Sequence, residues 1–339
     1  LDSDTVLISP NYIERTVEEL YKAVGIASAC GNVLSLRLRD RKAIVEDPAM
    51  KTFLQAHVDA PMFPRRTGLE RLQMGITSLY RECLYLFLQK FVYRGQMAFF
   101  GSISHPVGCA VAYRRKYIAE LFDHYEPILG DDLTNSEDIF IGFALVNHGY
   151  RNIQLPDVLC RSQEPSVKKL PRQFYMWSSA FLQSCLYFHS LTASPFKAFR
   201  RWRHNWKFKH SKEGQEILNK RKIQEPYREP FGDAHTDLYG RPIGWSIFMS
   251  LVEKIAFPWA LLIMLVLQMW EALLVTVVVE TAFSLTIMAV VAPKGQRLKF
   301  LGKGILVTPI RYSALVYDVT TILRFAVDVW FKKDRRWRK

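Results

Sequence analysis

One stretch limits the fold of this chain more than any other. From Phe257 to Pro293 it reads FPWALLIMLVLQMWEALLVTVVVETAFSLTIMAVVAP, with only two ionisable residues, Glu271 and Glu280. A helix rises about 1.5 Å per residue, so this length exceeds one crossing of a roughly 30 Å hydrocarbon core. It fits two short spans that turn near Trp270 and Glu271. A run apolar on every face is hard to house inside a soluble protein. The expectation is therefore a transmembrane helical hairpin over residues 257–293, and not the buried hairpin of a large soluble domain.

The flanks set an orientation. KGQRLKFLGKG (Lys294 to Gly304) carries four basic residues and no acid, and FRRWRHNWKFKHSK (Phe199 to Lys212) is as one-sided. The positive-inside tendency places both on the cytoplasmic face, which a hairpin entering and leaving on one side satisfies. Residues 191–256 read as an amphipathic, interfacial and linker region. In the last segment, 294–339, a basic loop precedes an apolar run broken by Asp318, Arg324 and Asp328. An interfacial helix is the preferred reading there, because a span would carry the basic tail away from the anionic cytoplasmic leaflet. The expected location is the plasma or inner membrane, multi-pass, with the body of the chain cytoplasmic.

The formal charge of +14 over 339 residues calls for an anionic partner: nucleic acid, lipid head groups or a phosphorylated small molecule. The tract RRWRHNWKFKH has the basic and aromatic character of a nucleic-acid contact. The apolar hairpin argues against nucleic acid and for the lipid bilayer as partner, with the same tract anchored at its surface. Five cysteines stand singly with no CxxC pair, so neither a zinc cluster nor a disulfide framework is indicated. None of the eight histidines pairs at metal-ligand spacing.

Residues 1–160 read as α/β. SACGNVLSLRL (Ser28 to Leu38) alternates as a strand should, and PVGCAVAYRRKYI (Pro106 to Ile118) is a small-residue strand running into a basic turn. Residues 48–96 are basic and aromatic, with a helix expected around RLQMGITSLYRECLYLFLQKFV. SEDIFIGFALVNHGYRNIQLP (Ser136 to Pro156) opens with a Ser N-cap and an acidic first turn. Ile139, Ile141, Ala144 and Leu145 give this helix a buried stripe, Gly149 stops it, and YRNIQLP is the next strand.

At the start of the chain, Asp2 and Asp4 flank a serine at a strand end. Two carboxylates one residue apart bring two sets of oxygens within reach of one hard divalent cation, Mg²⁺ or Mn²⁺. Three further pieces follow in order: GCAVAYRR (Gly108 to Arg115), SEDIFIGFALVNHGYR (Ser136 to Arg151) and RQFYMW (Arg172 to Trp177). As an ordered set with DSDT (Asp2 to Thr5), they resemble the processive, membrane-embedded glycosyltransferases of family 2. That group includes hyaluronan, chitin-oligosaccharide and cellulose synthases.

The resemblance covers roughly residues 1–335 and implies an α/β catalytic domain of GT-A type (Rossmann-like) over 1–190, ahead of the transmembrane and interfacial helices. It implies an N-terminally incomplete domain, since the family's uridine-binding strands would precede Leu1. The implied reaction is inverting, metal-dependent transfer of a sugar from a UDP- or GDP-sugar donor to a growing glycan acceptor. Asp2 and Asp4 take the metal and diphosphate role, Gly108 and Cys109 line the donor site, and Arg114 and Arg115 contact phosphate. Asp138, with Glu137 beside it, is the expected general base. Its spacing of eleven residues to Gly149 matches the family, whereas Asp132 of the Gly130–Asp132 alternative lies seventeen residues before Gly149. Gln173 and Trp177 match the family's Gln-x-x-Arg-Trp, with Trp177 stacking on the acceptor sugar. Met176 stands where the family has Arg, so Arg172 or another basic side chain must replace it. The broken motif leaves a rival reading open, a membrane-associated scaffold without activity.

Overall fold

The computed structural model describes residues 2, 4–57, 67–129, 136–224, 230 and 232–332. Gly130, Asp132 and Lys339 lie outside them. In chain order the elements are β1 (Thr5–Leu7), α1 (Tyr12–Tyr21), β2 (Ile26–Ser35), α2 (Leu38–Glu46), α3 (Pro48–His57), α4 (Gly68–Phe87), α5 (Arg94–Phe100), β3 (Val111–Tyr113), α6 (Arg115–Leu129) and α7 (Glu137–His148). They continue as β4 (Arg151–Ser162), α8 (Leu170–Tyr187), α9 (His189–Thr192), α10 (Ala198–His210), α11 (Lys212–Gln224), α12 (Asp233–Tyr239), α13 (Gly244–Val266), α14 (Trp270–Val291) and α15 (Arg297–Ala326). The architecture is mostly helical, built around one mixed sheet of order β1-β4-β2-β3.

β2 and β4 run parallel and form the centre of the sheet, with β1 antiparallel to β4 and β3 antiparallel to β2. β2 does not show the alternation read for Ser28 to Leu38. All its residues except Leu34 are buried, because a central strand is covered on both faces. The ladder shifts register between Cys30 and Asn32, around Gly31. There the Tyr12 hydroxyl accepts the Gly31 N–H at 2.7 Å and donates to the Ala110 carbonyl at 2.6 Å. A Cβ on Gly31 would meet the Tyr12 ring and the Val158 carbonyl at 2.6 Å, so only glycine fits.

α4 and α5 are joined through a π-helical segment, Leu88–Tyr93. Gln89 in that segment is buried, and its amide grips both polar groups of the Val33 backbone, accepting from N–H at 2.7 Å and donating to C=O at 2.9 Å. The basic turn expected after Tyr113 is the first turn of α6.

α7 is buried from Ile139 to Asn147 on every side, and not along one stripe. Its wide apolar girth fits a helix enclosed by α6, α8 and the sheet. Gly149 ends it in the left-handed region at φ 94°, a conformation that favours glycine. Where α7 crosses the 105–106 backbone, a Cβ on Gly142 would lie 2.5 Å from His105. The close crossing sets the N-terminal end of α7 beside Gly108.

Two helices, α13 and α14, are long and apolar enough to cross a membrane. They turn at residues 267–269, where Gln268 has φ 55°, and the first begins at Gly244, ahead of the Phe257 edge read from the sequence. Few of their residues are buried, and Ile263, Val266, Leu274 and Phe283 are among those exposed. The basic aromatic tract forms α10, with Phe199, Trp202 and Trp206 exposed.

The segment expected as a basic loop is helical from Arg297, leaving only a turn at Gly295 with φ 82°. Residues 312–331 are the second half of α15 and the π-helical turn that follows it. α15 packs on α4, α8, α13 and α14. Asp318, read from the sequence as a charge at a lipid surface, accepts from Ser178 at 2.6 Å and pairs with Lys254 at 3.0 Å. Arg311 pairs likewise with Glu280 on α14. Partners from distant helices meet these charges, which periodicity along one segment does not reveal.

Candidate active site

Three of the four sequence pieces meet, although the strands that two of them flank, β1 and β3, stand at opposite ends of the strand order. The Asp2 N–H donates to the Cys109 carbonyl at 2.9 Å. The Gly108 N–H donates to Asp138 Oδ2 at 3.0 Å. Gly108 has no room for a side chain, since a Cβ there would stand 2.7 Å from Oδ2 and 2.9 Å from the carboxyl carbon of Asp138. The small residue of the first motif is thus explained by the acid of the second.

Asp138 occupies the first turn of α7 and is half-buried. Its other oxygen, Oδ1, accepts from the Ile139 N–H at 2.9 Å and from the Ser136 hydroxyl. Ser136 stands at the N-cap position, but its side chain serves Asp138 and not the helix N–H groups. The carboxylate is held from two sides, with its orientation fixed by backbone.

Asp2 and Asp4 remain exposed, beside Glu137 and Asp138. Partial desolvation raises the Asp2 pKa above the ordinary carboxylate range, and the negative charges of Asp4, Glu137 and Asp138 raise it further. Four carboxylates whose charges act on one another in this way suit a divalent cation with oxygen ligands.

Behind Asp138 lies His105, absent from the sequence reading. Burial pushes its imidazole below the ordinary range, opposed by the Asp138 charge. Its two nitrogens face Tyr93 Oη at 3.3 Å and Ser104 Oγ at 3.1 Å. The Tyr113 hydroxyl, also unread in the sequence, is buried without a hydrogen-bond partner among the described residues. The charges of Asp138 and Glu137 act on it.

The fourth piece forms a second cluster behind the first. In α8, Gln173 accepts a hydrogen bond from Arg81, and the Arg81 guanidinium lies over the Trp177 ring at 4.1 Å from its centroid. Arg81 comes from α4, is fully buried, and pairs with the buried Glu164 at 3.3 Å. Burial outweighs this pairing and pushes the Glu164 carboxyl up to about 7, with Asp4 adding to the rise. The Gln163 N–H donates to the Asp4 carbonyl at 3.1 Å, which ties this cluster to the acidic one. Nothing local marks Arg81 in the sequence, where it is one arginine within a mixed helix. Its partners become visible only in three dimensions.

The remaining sequence-derived residues are placed differently. Arg114 donates to the carbonyls of Leu20, Ala23 and Ile26 and stacks over Tyr21 at 4.8 Å, so its donors close the end of α1. Arg115 and Arg172 are exposed, at the starts of α6 and α8. The Cys109 thiol points into the core, 4.0 Å from Cys160, and both are free. Cys109 therefore contributes a carbonyl, and not a side chain, to the Asp2 contact. No protein-family model and no curated protein matches this chain.

Proposed function

We propose that the chain is a membrane-associated, inverting glycosyltransferase of GT-A type. The substrates are a nucleotide-diphosphate sugar and a glycan hydroxyl. The observation that carries the reading is the convergence of Asp2, Asp4, Glu137 and Asp138, brought together by the Asp2–Cys109 and Gly108–Asp138 hydrogen bonds.

The transfer forms a bond from an acceptor hydroxyl oxygen to the sugar C1 as the bond from C1 to the diphosphate breaks. Asp138 takes the hydroxyl proton. The Gly108 N–H and the Ser136 hydroxyl keep its carboxylate aimed while this happens. Asp2 and Asp4 are the residues that would hold Mg²⁺ or Mn²⁺, which when bound neutralises charge on the diphosphate leaving group. Glu137 adds to the same negative field.

Gln173 and Trp177 shape the acceptor side. Trp177 offers a flat apolar face to a sugar ring. Arg81 positions both residues from behind. Arg172, exposed on the same helix turn as Gln173, offers a cation to phosphate.

α13 and α14 are read as the membrane hairpin, with the sheet on the cytoplasmic side next to the donor pool. Titration of the protein in membranes with UDP- and GDP-sugars, with Mn²⁺ and with chelator, tests this reading. Metal-dependent donor binding that Asp4→Asn removes is the expected result. Absence of any binding by either donor class would leave the scaffold reading in its place.

A further inference from the structure

A second group of metal-ligating side chains lies at the opposite end of α7 from Asp138. His124 on α6, His148 in the last turn of α7 and Asp233 at the start of α12 bring one ligand atom each to within 4.8 Å of one another. We propose that these three residues form a structural site for a single Zn²⁺ ion, which clasps α12 to the α6–α7 pair.

The donor set selects the ion. Two imidazoles and one carboxylate suit a borderline cation such as Zn²⁺, whereas Mg²⁺ prefers oxygen ligands. The centre around Asp2 and Asp4 has the reverse character, with oxygen donors alone. The geometry is close to closed: His124 Nε2 and Asp233 Oδ2 stand 3.8 Å apart. Tetrahedral zinc with bonds of about 2.0–2.1 Å holds its ligand atoms roughly 3.3 Å apart. A small side-chain rotation covers the difference.

The backbone already holds the three residues in register. The Gly232 N–H donates to the His148 carbonyl at 3.1 Å, and the Thr236 hydroxyl donates to the Asn147 carbonyl. Tyr125 Oη lies 3.3 Å from His148 Nε2 and fixes the tilt of that ring. The side chains of His124 and Asp233 are 47% and 44% exposed, so an ion enters from solvent and a water completes its coordination. Arg241 opposes a cation here, since it donates to the Gly232 carbonyl at 3.1 Å and to Thr236 Oγ1 at 2.8 Å. Binding weaker than at a closed thiolate site follows.

The ion links two consecutive elements, α6 and α7, to α12, which the sequence keeps far from them, and this is why spacing alone did not show it. α12 leads through residues 240–243 into α13. A clasp at Asp233 therefore steadies the point where the body of the protein meets the first apolar helix.

The test uses the full chain in detergent micelles, stripped with chelator, dialysed against Zn²⁺ and analysed for bound metal. One Zn²⁺ per chain is expected, together with a rise in melting temperature on Zn²⁺ addition. The double variant His124→Gln/Asp233→Asn alters two solvent-exposed side chains and should lose both effects. Asp2→Asn/Asp4→Asn and His204→Gln/His235→Gln should keep both. Absence of stoichiometric Zn²⁺ in the unmodified chain overturns the proposal, as does undiminished retention by the His124→Gln/Asp233→Asn chain.

Discussion

Arg81 and Trp177 face each other across α4 and α8, with the guanidinium 4.1 Å from the indole centroid, while the same guanidinium holds Gln173 and Glu164. One buried cation thus fixes the two motif residues that flank Met176. Removing it leaves the Glu164 carboxyl buried without its partner. Arg81→Met should lower stability by roughly 3–5 kcal/mol, the cost of breaking a buried pair. Adding Glu164→Gln should recover part of the loss. Arg81→Lys should not restore it, because an ammonium lacks the planar fork that bonds Gln173 and stacks on Trp177. Urea unfolding followed by tryptophan fluorescence measures all three. A fully stable Arg81→Met protein would contradict the pairing.

Gly108→Ala adds a carbon 2.7 Å from Asp138 Oδ2. The carboxylate must shift, so sugar transfer should drop within the roughly 10²–10⁴-fold range that loss of a general base produces. Donor affinity should change far less. Equal losses in donor binding and transfer would place Gly108 on the donor alone.

Asp138→Asn should likewise abolish transfer with donor binding largely intact, and Asp132→Asn should be much milder. Steady-state turnover beside equilibrium donor binding separates the two. The opposite ranking would move the base to the Gly130–Asp132 segment.

Glu164 gives a pH signature. Its carboxyl is raised from the ordinary 4.5 to about 7 in the folded chain, so the folded state binds this proton more tightly than the unfolded state does. Its contribution to stability is therefore fully present below about 4.5 and is lost as pH rises through about 7, at up to about 1.4 kcal/mol per pH unit. The stability difference between the parent and Glu164→Gln, measured by urea unfolding from pH 5 to 8, should decline with pH. A difference that stays flat or rises would rule this out.

The five native cysteines are all buried, so an introduced one reports cleanly on topology. In sealed cells, Trp270→Cys at the turn between α13 and α14 should react with an impermeant thiol reagent. Gly295→Cys and Lys339→Cys should stay protected until the membrane is opened. Labelling of Gly295→Cys from outside would reverse the hairpin.

Much of this architecture is local and was open to a reader of the sequence. The apolar run around Trp270, the Gly149 stop of α7, the strand after it and the acidic first turn at Glu137 and Asp138 follow from hydropathy, left-handed glycine and helix-end charge. These effects act over a few residues, and neighbouring letters record them. Tertiary contact decided the rest. Arg81 reaches Trp177 and Glu164, Asp318 finds Lys254 and Ser178, and Arg114 turns to the carbonyls that end α1. His124, His148 and Asp233 meet only because α12 docks on the end of α7. A buried or half-buried charge is stable only beside its partner, and that partner is set by how helices pack and not by spacing along the chain. Sequence therefore determined where the apolar run, the Gly149 stop and the acidic start of α7 lie, while packing determined which side chains each charge meets.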